Sequence, residues 1–255
     1  MTYRILILGG TTEARQLAGR LMVRSDAEVT LSLAGRTENP VSQPVPTRVG
    51  GFGGAEGLAR YLSEQRIDLL IDVTHPYAAR ISANAATAAK STGTQFLALR
   101  RPGWDPGEGD RWTIVDTVAD AVAALGKARR RVFLALGRQE VAAFEAAPQH
   151  DYLIRSVDPV EPPLGVPEAA YILARGPFAE ADEKALLAAH GIDAVVSKNS
   201  GGAATYGKIA AARALDIEVI MIRRPMLPQA PSAATVDELL RMIAHHLGPV
   251  AERGV

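Results

Sequence analysis

The most polar strand exit in the chain is Ser197-Lys198-Asn199-Ser200-Gly201-Gly202, followed closely by Thr205, Tyr206 and Lys208. An ammonium that ends an apolar run costs several kcal/mol to bury unless it meets an anion, so Lys198 reads as a contact to carboxylate or phosphate, or as a proton donor. A strand-end lysine that snorkels to water is the structural alternative. Asn199, Ser200, Gly201 and Lys208 extend the same lip as substrate contacts, with Tyr206 a second proton source. An earlier exit, Asp72-Val73-Thr74-His75-Pro76-Tyr77-Ala78, offers a hydroxyl, an imidazole and a phenol. Thr74, His75, Pro76 and Tyr77 are expected beside a cofactor, with His75 also a candidate acid; capping the next helix is the alternative task for that imidazole. His150, His190, His245 and His246 read as helix-end or surface residues without metal-ligand spacing, and no metal is expected.

Gly9-Gly10-Thr11-Thr12-Glu13-Ala14 follows the first apolar run and opens a helix, where bare N–H groups and the positive helix end suit a phosphate. The string lacks the last glycine of G-x-G-x-x-G, and a tight turn with a Thr cap would also explain it. Dinucleotide folds that take NAD place Asp or Glu at the end of the second strand, whereas this chain has Ala34-Gly35-Arg36-Thr37. Gly35, Arg36 and Thr37 therefore match a 2′-phosphate and favour NADP(H) over NAD(H), unless Arg36 is only a solvated loop cation. Val49-Gly50-Gly51-Phe52-Gly53-Gly54 fits backbone passing close to a ligand at Gly51, or a mobile loop. Arg100, Arg101, Arg138, Arg175, Arg223 and Arg224 also fall at expected strand ends, which predicts a locally cationic edge and a polyanionic substrate. The hydrolase, zincin and P-loop signatures are missing; hydride transfer needs none of them, because the cofactor carries the reactive atom.

Presenting these residues requires strands that end where they begin. Short aliphatic runs alternate with Ala-rich amphipathic segments along the chain, the pattern of β-α units around parallel sheets. Strands are expected at 3–8, 28–33, 47–49, 68–73, 95–99, 131–136, 152–156, 171–174, 194–197 and 218–222. Helices are expected at 12–22, 55–65, 78–91, 117–128, 139–146, 180–190, 205–215 and 236–247. The order also repeats: RILILGG from Arg4 matches RVFLALG from Arg131, IDLLID from Ile67 matches IDAVVS from Ile192, and Leu99-Arg100-Arg101-Pro102 matches Ile222-Arg223-Arg224-Pro225. Each of the last pair leads to Thr-Val and a helix, at Thr117 and Thr235. The fold class is α/β: two Rossmann-like halves, 1–128 binding NADP(H) and 129–255 contributing to the substrate cleft, from an internal duplication. The ligand is expected where the carboxyl strand ends of the halves meet. Whether the terminal helices are exchanged between halves stays open.

Lys plus Arg and Asp plus Glu number 28 each, so no bulk field exists to hold nucleic acid or an anionic membrane, and neither is an expected partner. The absence of cysteine removes thiolate metal sites and cysteine nucleophiles and fits a cytoplasmic setting. The start, MTYRILILGG, has too short an apolar run for a signal peptide.

Taken together, ILILGGTTEAR, AGR, GGFGG, DVTHPYA, RRPGW, RGPF, KNSGG and TYGK resemble the precorrin-6A reductase family of cobalamin biosynthesis, from Ile5 to Pro225. The resemblance implies an NADPH-dependent oxidoreductase that reduces one double bond of a tetrapyrrole macrocycle to give precorrin-6B, without flavin or metal. For that reaction nicotinamide is expected near Thr74 to Tyr77, the proton from Lys198, Tyr206, His75 or water, and Arg138, Arg175, Lys198 and Lys208 on the acetate and propionate carboxylates. A cobalt-bearing macrocycle is an alternative substrate. A two-domain nucleotide-sugar glycosyltransferase and a non-catalytic nucleotide sensor are the readings from other classes. The implied partners are the small-molecule substrate and transient contacts with neighbouring pathway enzymes, in a monomer or dimer.

Overall fold

The structure, a computed structural model, describes residues 2–35 and 41–247. In β1 (Tyr3–Leu8) four consecutive residues, Ile5 to Leu8, are buried, which requires that both faces of the strand be covered. Ile5 and Ile7 pack with Leu17 and Leu21 of α1 (Thr12–Leu21) on one face. Leu6 and Leu8 point the other way, onto α2 (Gly54–Glu64) and α3 (Ala79–Thr92), where Leu58, Leu62, Ala85 and Ala88 receive them. The remaining strands of the first half are β2 (Ala27–Leu33), β3 (Thr47–Val49), β4 (Leu69–Asp72) and β5 (Gln95–Leu99). The second half has β6 (Trp112–Val115), α4 (Val118–Ala124), β7 (Arg131–Ala135), α5 (Arg138–Val141), β8 (Asp151–Ser156), β9 (Ala169–Leu173), α6 (Glu180–Ala189), β10 (Ala194–Lys198), α7 (Gly207–Ala214) and β11 (Glu218–Ile222). It is followed by β12 (Ser232–Ala233) and α8 (Val236–Leu247).

Two parallel six-stranded sheets result, ordered β12-β5-β4-β1-β2-β3 and β6-β11-β10-β7-β8-β9. The two orders are the same once β1 is matched to β7 and β12 to β6, as the repeated sequence blocks require. Read from β3, the first is the 3-2-1-4-5-6 order of a dinucleotide-binding sheet.

The sixth strands are exchanged. The chain separates into one unit of Met1–Arg101 with the segment from Pro225 on, and a second unit of Pro102–Arg224. The boundary expected after residue 128 thus falls inside the second unit. Backbone pairing is the reason: β6 hydrogen-bonds to β11, while Ala98 N–H reaches the Pro231 carbonyl and Arg100 N–H the Ala233 carbonyl, drawing β12 and α8 back to the first sheet. The matched Thr-Val pairs start the two exchanged helices. Thr117 forms a capping box with Asp120, and Thr235 accepts from Glu238 N–H at 3.2 Å. α8 brings Leu239 and Ile243 into the Ile5–Leu17 core.

One helix is shorter than its periodicity predicts. α5 has four residues and continues only as a 3-10 turn to Ala146, because Gly137 supplies no side-chain cap and Pro148 drives Ala147 out of helical geometry. No helix of the described residues is long and apolar enough to cross a membrane.

Leu239→Ala, near the far end of the chain, should therefore cost the first unit about 2–5 kcal/mol. Urea unfolding should report the loss, with faster amide exchange in β5.

Candidate functional site

In the first sheet the strand order reverses between β1 and β4, the point outside whose carboxyl ends such sheets take ligands. Gly10 there has φ +109°, which favours glycine, and a Cβ on Gly9 would come within 2.6 Å of Leu31 Cδ1. Thr11 caps α1 by accepting from Ala14 N–H at 3.1 Å and donates to the Val73 carbonyl at 2.8 Å. One hydroxyl thus ties the β1 loop to the β4 exit. Thr12 is exposed in the first turn of α1, and Glu13 is held by Arg101 at 2.6 Å.

Asp72 ends β4 with its side chain wholly buried. Its Oδ1 accepts from Thr74 N–H at 3.1 Å and Thr74 Oγ1 at 2.6 Å, and its Oδ2 accepts from Ser82 Oγ at 2.6 Å and Arg100 Nη2 at 2.8 Å. Four donors satisfy the carboxylate, and the proton of the Thr74 hydroxyl is committed to it. His75 accepts Tyr77 N–H at Nδ1 over 3.3 Å, which makes Nε2 the protonated nitrogen of the neutral ring and suits His75 to donate. Pro76 is buried between them, and the two rings lie 5.6 Å apart. Arg100 also lines an open depression of about 650 Å³ bounded by Leu227, Pro228, Gln229, Ala230, Pro231 and Ser232. Gly35 has φ +74°, and no described atom lies within 4 Å of a Cβ on Gly51. Arg36 and Thr37 lie outside the described residues.

In the second sheet the order reverses between β7 and β10. Lys198 Nζ meets Glu140 Oε2 at 2.5 Å, joining the β10 exit to α5. Asn199 gives both ends of its amide to the backbone of Trp104, accepting from N–H at 2.7 Å and donating to the carbonyl at 2.8 Å. Arg224 donates to the carbonyls of Asn199, Ser200 and Pro102 at 2.7, 2.9 and 3.0 Å. Gly201, with φ +68°, lies against this clamp, and a Cβ there would sit 2.1 Å from the Pro102 oxygen. Tyr206 Oη accepts from Arg213 Nη2 at 2.6 Å, and Arg213 grips Asp110 through two bonds of 3.0 and 2.8 Å. Burial pushes the Asp110 carboxyl up, but Arg213 and the Gly107 N–H together hold it below the usual range. Arg138 is half-buried at the start of α5, and Arg175 is exposed after β9.

Lys208 does not lie on the polar lip where its spacing suggested. It is 4% exposed, donates to the Thr205 carbonyl at 2.7 Å and sits 5.0 Å over the Trp104 ring. Burial and then the charge of Arg155 lower its pKa to about 7, against the opposing pull of Glu183. Arg155 and Glu183 themselves form a buried two-bond ion pair, with Arg155 stacked 3.6 Å over Phe178. His150 also departs from expectation. It is buried at the amino end of β8, away from the site, where desolvation lowers its pKa and Nδ1 accepts Arg130 N–H at 3.2 Å.

Several of the cations expected at the strand ends have partners within their own unit. Arg100 is paired with Asp72, Arg101 with Glu13, Lys198 with Glu140 and Arg223 with Asp116, while Arg224 serves three carbonyls. Sequence reasoning did not single out Asp72, Ser82, Arg48, Asp110 or Arg213 as site residues. Only Asp72 carried a signal, as a carboxylate closing an otherwise apolar strand.

Asp72→Ala strands a partly buried guanidinium and should cost about 3–5 kcal/mol in chemical unfolding. Lys208 has a folded pKa below its unfolded value, so between about pH 7 and pH 10 the unfolded chain holds more proton and stability rises with pH. Lys208→Met should flatten that rise, measured as urea midpoints across the range.

The chain matches the family described as precorrin-6x reductase CbiJ/CobK over residues 4–244. It is 62% identical over 246 residues to a precorrin-6A reductase of Sinorhizobium sp., covering 96% of this chain and 94% of the relative. A cobalt-precorrin-6A reductase of Priestia megaterium is 26% identical, with 94% of this chain and 98% of the relative covered. The solved structure of a CobK precorrin-6A reductase superposes with a TM-score of 0.93 at 48% identity, over 100% of both chains. A parallel-sheet fold, a repeated strand order and a family match through nearly the whole sequence agree: the chain belongs to the precorrin-6x reductase CbiJ/CobK family.

Proposed function

We propose that this protein reduces precorrin-6A to precorrin-6B with NADPH as reductant. The observation that carries the reading is a dinucleotide-type exit in the first sheet of a chain 62% identical to a precorrin-6A reductase. When bound, the cofactor supplies hydride to one carbon of a macrocycle double bond, and the neighbouring carbon takes a proton.

The residues of the first unit fit such a cofactor. The positive φ of Gly10 and the free approach over Thr12 leave the start of α1 open to a diphosphate. Gly35, Arg36 and Thr37 take the 2′-phosphate, and Gly51 leaves space beside the ribose. Thr74, His75, Pro76 and Tyr77 border the nicotinamide end, held in place through Asp72. The depression beside Arg100 gives that end its room. In the second unit, Lys198, Ser200 and Gly201 with Arg138 and Arg175 bind the macrocycle carboxylates. Asn199 and Lys208 act beneath them by fixing the Trp104 backbone and the Thr205 carbonyl.

The proton donors have different standing in the geometry. His75 accepts at Nδ1 and so carries its proton on Nε2 in the neutral ring. Tyr206 receives a bond from Arg213 and so keeps its own O–H for donation. Lys198 must give up Glu140 before it serves a substrate group. The metal-free macrocycle is preferred over the cobalt form because the relative named for the former is far more similar than the one named for the latter. The reaction calls for a setting with NADPH, in keeping with a cytoplasmic enzyme.

Loss of NADPH absorbance in the presence of precorrin-6A tests this directly. Turnover is expected with precorrin-6A, more slowly with its cobalt form, and about tenfold or more slowly with NADH. Equal rates with NADH would remove the 2′-phosphate site, and no oxidation with either macrocycle would overturn the function.

A further inference from the structure

Arg48 lies in β3, the edge strand of the first sheet, opposite Ser32 of β2. Its guanidinium donates through Nη1 to Ser32 Oγ at 3.0 Å and to the Gly50 carbonyl at 2.9 Å, and through Nη2 to the Gly51 carbonyl at 3.2 Å. It also stacks 3.7 Å over the Phe52 ring, which meets Tyr61 of α2 edge-on at 5.1 Å. One side chain thus joins β2, the glycine loop and α2.

That loop needs an external hold. Gly50, Gly53 and Gly54 have φ of +114°, +80° and +94°, and no described atom lies within 4 Å of a Cβ on any of them or on Gly51. Four glycines in succession around one phenylalanine have little side chain of their own to pack, and ordering them costs more backbone entropy than ordering other residues. The loop also has a defined neighbour. Gly50 N–H donates to the Leu33 carbonyl at 2.9 Å, and a Cβ on Gly35 would lie 3.3 Å from Val49 Cγ1 and 3.7 Å from Gly50 N. The loop therefore abuts the end of β2, where a sheet of this order places the ribose of the adenosine half.

We infer that Arg48 is a positioning residue for the adenosine half of the cofactor: it pins the Gly50–Gly54 loop as a pre-formed wall beside the end of β2. The inference rests on the NADPH reading above. Holding the loop in advance lowers the ordering cost at binding, so Arg48 acts on cofactor affinity and not on the chemical step. An arginine is suited to the task because its planar fork serves two carbonyls while its face stacks on an aromatic ring; a lysine ammonium cannot do both.

Arg48→Met keeps the aliphatic stem and removes the donors and the stack. The KM for NADPH and the Kd for 2′,5′-ADP, a probe of the adenosine half alone, should rise together by about tenfold or more. The KM for precorrin-6A and kcat at saturating NADPH should change less than about twofold. Arg48→Lys should recover only part of the loss, and Ser32→Ala, a milder change, should raise both constants by about threefold. Unchanged 2′,5′-ADP binding in Arg48→Met and Ser32→Ala would overturn the inference, as would a parallel loss of precorrin-6A affinity and kcat. If Arg48→Met fails to fold, Arg48→Lys and Ser32→Ala decide between the same outcomes. Wild-type protein that binds neither NADPH nor 2′,5′-ADP would instead overturn the NADPH reading, and this inference with it.

Discussion

Two backbone hydrogen bonds, Ala98 N–H to Pro231 and Arg100 N–H to Ala233, hold the first sheet to its sixth strand. The strand exit at Asp72 in the first unit hangs from them in sequence. They set the course of the backbone at Arg100, whose guanidinium then reaches the buried Asp72; Asp72 in turn fixes Thr74 and, through Ser82, the start of α3. A fully buried carboxylate is tolerable only with such a complete set of donors. A two-residue strand thus holds in place the arginine that neutralises the buried Asp72.

The two strand-order reversals are stitched by different chemistry in the same place. Thr11 bridges β1 and β4 through a neutral hydroxyl, whereas Glu140 and Lys198 bridge β7 and β10 through an ion pair. A hydroxyl can keep its bond while backbone N–H groups receive a phosphate. An ion pair, by contrast, can exchange its carboxylate for one carried by a substrate. Several cations at the strand ends accordingly have a carboxylate beside them.

Much of this architecture was legible in the sequence because parallel strands buried on both faces are short continuous apolar runs. β1, β3, β5 and β11 have the bounds that their composition predicts. β6 and β12 escaped notice: four and two residues carry too little periodicity, and only pairing with a distant strand makes them strands. For the same reason the repeat was readable while its exchange of sixth strands was not. At the site, residue type indicated the exits but not the partners. Lys198 and Asn199 stand where polar spacing put them, yet nothing local announces Glu140 or the Trp104 backbone as what they hold. Lys208 and His150 were misplaced because a polar side chain gives no sign in sequence of the cavity that desolvates it.

The exchanged strands also order events in time. The second unit is one uninterrupted stretch, Pro102–Arg224, and contains all six of its strands. The first unit has five strands early but lacks β12 and α8 until the residues after Pro225 are made. During synthesis the amino-terminal unit must therefore wait, with the β5 edge unpaired and the face that α8 will cover exposed, while the unit begun after it can close. The pairing of β5 with β12 spans more of the sequence than any other strand pairing among the described residues, and its loop-closure entropy makes it a late step of folding.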